Sequence, residues 1–165
     1  MSQPDEKDAQ PAKKSRTDRR VKIGFLIVFL VAAAAVYYSQ IRGPELPGTW
    51  GDDLPAALAE AAAATPPKKV VVFIDSFPAS FQGQEMIKGT LRKRRSVKDL
   101  APFVKVHLRL DKDAAWAKKY GVTKAPTTLV LSADGGKFHK QEGRIGEIDF
   151  LKFLKAELKP VGTDP

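Results

Sequence analysis

The chain has 165 residues, with 28 Lys and Arg against 19 Asp and Glu, a net charge of +9 and no cysteine. That length suits one modest domain with additions. Without cysteine there is no disulfide, thiolate nucleophile, zinc ribbon or iron–sulfur cluster, and the spread of charge describes a solvated surface, with no nucleic-acid partner expected.

Residues 1–22 are polar, with Pro4, Pro11 and a basic cluster of Lys13, Lys14, Arg16, Arg19, Arg20 and Lys22. Such a segment buries too little apolar surface to order itself, so a disordered tail is expected. Residues 23–41 then carry no charge. As a helix they extend about 28 Å, close to a hydrocarbon core of about 30 Å, which predicts a transmembrane helix in contact with membrane lipid. Tyr37 and Tyr38 fall at interfacial depth, and Arg42 closes the span.

The basic flank predicts a cytoplasmic N-terminus and an exported C-terminal domain. The expectation is a single-pass protein of the cytoplasmic (inner) membrane with a periplasmic or otherwise extracytoplasmic domain. The long apolar run and the bulk of Tyr37 and Tyr38 favour an uncleaved signal anchor over a cleaved signal peptide. Arg19-Arg20 suggests a twin-arginine signal, but Asp18 and Lys22 fit that pattern poorly.

Residues 42–51, with Gly43, Pro44, Pro47, Gly48 and Gly51, read as a short linker. The folded domain is expected over 52–160, with a flexible 161–165 tail. Asp52 or Asp53 can cap a first helix that carries Pro55 in its first turn and alanines through Ala64. VVVFID, Val70–Asp75, is a buried central strand. A helix is expected over Ser80–Arg92, weakened by Gly83 and Gly89. The run Leu91–Lys98, which holds Arg92, Lys93, Arg94 and Arg95, reads as a solvated loop with some helix-dipole benefit.

FVKVHLRL, Phe103–Leu110, alternates as a half-exposed edge strand. Asp113–Tyr120 is a short helix ended by Gly121, and Thr127–Leu131 is another strand. Asp134-Gly135-Gly136 turns into a hairpin partner. The last helix, Glu147–Leu158, is expected to face inward through Ile148, Leu151, Leu154 and Leu158. These elements predict an α/β fold: a mixed sheet of about four strands flanked by helices, plus the transmembrane helix.

This order, with VVVFIDSFPASF, LDKDAAWAKKYGV, KAPTTLVL and ADGGKFHKQEGRIG, resembles the thioredoxin-like superfamily over Val70 to Leu158. The resemblance implies a thioredoxin-like fold. It places Pro78 and Phe81 at the two positions the family fills with redox cysteines, with Ala79 and Ser80 between them. Val72 stands where many relatives keep a buried aspartate. Pro126 matches the family's cis proline, beside which an extended peptide binds. Ser80 has no neighbouring His to activate it and reads as a helix cap.

The resemblance therefore points to a non-catalytic domain, a protein-interaction or scaffolding module for an unidentified protein partner. Phe77, Phe81, Ala125 and Pro126 are the candidate peptide contacts, with Phe77 and Phe81 acting as anchors if exposed and as core if buried. Arg92, Lys93, Arg94 and Arg95 are a candidate anion site for an acidic polymer or lipid. A thiol-independent enzyme of unrecognised chemistry is the other alternative. Neither His107 nor His139 sits in a metal-ligand motif. No cofactor or metal is expected, and no phosphate loop, dinucleotide glycine pattern or hydrolase elbow occurs.

Overall fold

A computed structural model describes residues 16–112 and 114–161. The tail before Arg16, expected to be disordered, Asp113, expected to open a helix, and residues 162–165, expected to be flexible, lie outside the described residues. Two compact units divide the chain after Gln40.

The described residues of the first unit form a helix. α1 runs Arg16–Arg42, so it starts inside the segment expected to be unordered. Within it, Arg20–Ser39 is long and apolar enough to cross a membrane, and none of its side chains is buried in protein. A helix that exposes Phe25, Leu26, Ile27, Phe29 and Leu30 to its surroundings is stable in lipid and costly in water.

The second unit is a five-stranded sheet between two helical layers. Its elements are α2 (Leu54–Ala63), β1 (Val70–Asp75), α3 (Phe81–Glu85) running into a π-helical segment (Met86–Leu91), α4 (Arg94–Leu100), β2 (Val104–Arg109), α5 (Ala114–Lys119), β3 (Thr127–Leu131), β4 (Lys137–Glu142), α6 (Glu147–Lys155) and β5 (Lys159–Pro160). The strand order is β2-β1-β3-β4-β5. β1 pairs parallel with β2 and antiparallel with β3, and the remaining pairings are antiparallel. β2 is the edge strand its alternation predicts. β5 adds a fifth strand of two residues, too short to carry a pattern in the sequence.

Every β1 residue is buried because both faces are covered. Val70, Val72 and Ile74 join Leu54, Ala57, Ala61, Val106 and Tyr120 on one face. Val71 and Phe73 join Met86, Leu91, Phe150, Phe153 and Leu154 on the other. Alternation in a strand sends successive side chains to opposite faces, so an unbroken apolar run supplies two cores at once.

Three local expectations change. α6 buries Phe150, Phe153 and Leu154, while Ile148 is 70 % exposed. The spacing 150, 153, 154 defines a helical stripe, and Ile148 lies two residues from Phe150, about 200° round the helix. The helix also ends at Lys155, before Leu158. The basic run is only half loop: Arg92 and Lys93 form the turn after the π segment, and Arg94 begins α4, held by buried Ser96 and Leu100 four residues apart. The Ser80–Arg92 helix starts at Phe81 and widens into the π segment at Met86.

The linker is not a bare spacer. The Gly51 N–H donates to the Lys105 carbonyl at 2.9 Å, and the His107 N–H donates to the Gly51 carbonyl at 2.8 Å, so its end pairs with the edge of β2. Leu46 and Trp50 pack against the α6-side core. The Trp50 indole N–H donates to the Pro47 carbonyl at 2.9 Å.

Candidate functional site

The site begins where β1 ends. Asp75 is 2 % exposed, although it follows five apolar residues. Its Oδ1 accepts from the Ser76 N–H at 2.8 Å, the Ser80 N–H at 3.3 Å and the Ser80 hydroxyl at 2.9 Å. Ser80 Oγ in turn accepts from the Gly83 N–H at 2.9 Å and so caps α3. The buried carboxylate thus finds the partners that burial demands. Gly83 packs against it so closely that a Cβ there would run into the Asp75 carboxyl group.

The loop is closed by its own polar groups. The Ser76 hydroxyl donates to the Pro78 carbonyl at 3.0 Å, and the Gln84 amide donates to the Ala79 carbonyl at 3.2 Å. The Phe77–Pro78 bond is cis. What the loop turns outward is apolar: Phe77 is 49 % exposed and Phe81 is 76 % exposed. The Arg109 guanidinium lies over the Phe77 ring, 4.0 Å from its centre. Arg109 also donates to Asp111 through Nε at 3.2 Å and through a terminal nitrogen at 2.6 Å. That hydrogen-bonded guanidinium holds the Asp111 carboxyl below the ordinary aspartate range.

The Ala125–Pro126 bond is cis, as the resemblance implies. Ile74 pairs with Thr127, so Asp75 and Pro126 occupy the next register positions, and the loop and the proline come together at one end of the sheet. Pro126 is buried, and its carbonyl already accepts from the Gly143 N–H at 2.7 Å. Proline has no N–H, so half-buried Ala125 is the residue of this pair left to offer backbone to a chain.

The four basic candidates do not join that surface directly. Arg92 follows the π segment, Lys93 caps α4, and Arg94 and Arg95 are its first two residues; all four are exposed. Arg92 stands where the helix dipole favours a cation, whereas Arg94 and Arg95 stand in the first turn of α4, where it does not. The Arg92 guanidinium donates to the Glu45 carbonyl at 3.0 Å, on the segment the sequence suggested was a linker. A Cβ built on Gly43, whose φ is +65°, would stand 3.0 Å from the Ala79 Cβ. Residues 43–45 therefore run from the degenerate loop to the basic run.

Asp75, Arg109 and Gly43 went unrecognised in the sequence. An acidic residue closing an all-apolar strand and followed by serine is the one local sign of the first. Among the described residues, no group of three His, Asp or Glu is placed to hold a metal ion.

This architecture, a mixed sheet with a loop at the end of its central strand and a cis proline beside it, is a thioredoxin-like fold. A thioredoxin from Thermus thermophilus is 26 % identical, with 64 % of this chain and 83 % of that one covered at a TM-score of 0.51. The C-terminal domain of Neisseria meningitidis DsbD, in its oxidised form, is 21 % identical, with 65 % and 97 % covered at 0.52. The thioredoxin NaTrxh from Nicotiana alata is 18 % identical, with 68 % and 96 % covered at 0.53. The Neisseria domain is also known in a reduced form. No protein-family model and no curated protein matches the sequence.

Proposed function

We propose that the chain is a membrane-anchored, non-catalytic thioredoxin-like domain that serves as an interaction or scaffolding module on the extracytoplasmic face of the membrane. The observation that carries this reading is the chemistry of the loop. Where a thiol pair would stand, the polar groups of Asp75 and Ser80 are spent on each other and on the backbone, and two phenylalanines face outward. Exposed aromatic rings on a closed loop favour binding over bond making. The basic flank of α1 supports the orientation. A protein partner would meet the loop end at Phe77, Phe81 and Ala125.

A second reading, an anion site at Arg92–Arg95 for an acidic polymer or lipid, draws support from the hydrogen bond that ties Arg92 to Glu45.

Two assays test these readings. The full chain reconstituted in vesicles should leave insulin disulfides intact, and measurable reduction would overturn the non-catalytic reading. Proteins that co-purify from membranes should be lost with Phe77→Ser/Phe81→Ser and kept when Arg92, Lys93, Arg94 and Arg95 are replaced by Gln. Retention in the aromatic variant would move the protein contact off the loop end.

A further inference from the structure

Gly43 touches Ala79, in the middle of the degenerate loop. Ser39 closes the segment apolar enough to span a membrane. Four steps of chain separate Ser39 from Gly43, a reach of at most about 14 Å even when fully extended. A headgroup layer occupies about 5–8 Å on each side of the hydrocarbon core. Chain length alone therefore keeps the loop beside the bilayer surface, whatever the direction in which the chain leaves it.

The loop's outward chemistry suits that position. Phe81 is the more exposed of the two rings, Phe77 is capped on one face by a guanidinium, and Pro78 between them is exposed. Aromatic rings with apolar bodies are favoured at the membrane–water boundary, and neighbouring cations attract anionic headgroups. Arg92 contributes such a charge two residues further along the same arm, at Glu45.

We infer that the Phe77–Phe81 loop docks on the headgroup layer of the membrane that α1 spans, with Phe81 entering the lipid interface. This rests on the reading above that the loop end binds and does not react; it gives the occupant of Phe81 as lipid and leaves a protein partner the Phe77 and Ala125 side of that end. Docking fixes the domain at two points, the α1 tether and the loop, and so sets which surface it turns to the aqueous side.

The absence of cysteine makes the test direct. Single substitutions Gln82→Cys, beside the loop, and Lys68→Cys, before the opposite end of β1, each carry one environment-sensitive fluorophore. The full chain is reconstituted in vesicles of phosphatidylcholine and phosphatidylglycerol that contain a lipid-borne spin-label quencher. The probe at Gln82→Cys should be quenched by lipid and the probe at Lys68→Cys should not. Adding Phe81→Ser should bring the first down to the level of the second, whereas Phe81→Trp should preserve the quenching. Equal quenching at the two sites, or quenching indifferent to Phe81→Ser, would overturn lipid docking, the latter because tethering alone would then account for it. Insulin reduction by the same vesicles would overturn the binding reading itself, so the two failures are told apart.

Discussion

Asp75 organises the candidate site, and its contribution can be measured. In Asp75→Ala, the Ser76 and Ser80 N–H groups and the Ser80 hydroxyl lose their common acceptor. Partly buried donors left without a partner should lower stability by about 2–3 kcal/mol. Gly83→Ala forces a methyl against the same carboxyl group and should lower it by about 1–3 kcal/mol. The two substitutions share one space, so the cost of Gly83→Ala should shrink in the Asp75→Ala background. Urea titration of the full chain in mild detergent, followed by Trp50 and Trp116 fluorescence, measures all three. Strict additivity would mean that Gly83 does not press on Asp75.

The exposed carboxylates give a pH prediction. The hydrogen bond from Arg109 lowers the Asp111 pKa, and the Ser132 hydroxyl bond, with the Gly136 N–H, lowers that of Asp134. A depressed native pKa adds stability that is complete above the unfolded-state value, about 3.9 for aspartate, and is lost as pH falls through the lower native value. The Arg109–Asp111 pair over Phe77 should thus be unchanged from neutral pH down to about pH 4, just above that aspartate value. Carboxyl NMR should place both midpoints below the ordinary aspartate value; an Asp111 midpoint at or above it would contradict the Arg109 contact, and an Asp134 midpoint there would contradict the Ser132 bond.

At the scale of elements, much of the fold was readable. β1, β2 and β3 announce themselves by apolar runs and alternation, and a pattern of period two survives almost any neighbour. α6 was readable in place but not in face. Ile148, Leu151 and Leu154 make one plausible stripe, and Phe150, Phe153 and Leu154 make another; the sheet selects the aromatic one. Phe150→Ala should therefore cost about 3–5 kcal/mol, while Ile148→Ser should stay within about 0.5 kcal/mol as an exposed change. The reverse ranking in urea titration would reinstate the other face.

The π segment was not readable, because its wide turn has no periodic signature of its own and Gly89 only weakened the helix assignment. Gly89 has open space around its Cα and no positive φ. Gly89→Ala should raise stability by about 0.5–1 kcal/mol. Of the site, the sequence disclosed that Pro78 and Phe81 hold the loop positions where the resemblance expects cysteines, and that Pro126 stands beside them. It did not disclose Asp75 as the organiser, since nothing in VVVFIDS says that the carboxyl group folds back on Ser80. The contact of Gly43 with Ala79 was equally hidden, because a Gly- and Pro-rich stretch reads as a spacer whether or not the domain captures it.

For the whole molecule, these residues and elements describe a thioredoxin-like domain in which the loop after the central strand is an apolar tip on a closed polar scaffold. An apolar helix precedes it by a few residues, and the intervening arm lies on the tip. This end of the domain is the surface that should bind. Photocrosslinking from position 81 in native membranes, with position 68 as control, tests it most directly. Adducts are expected from position 81 and none from position 68: lipid adducts support both the binding surface and its docking on the bilayer, and protein adducts alone support the binding surface and remove the docking. No adduct at position 81 while position 68 is captured would rule out binding at this end.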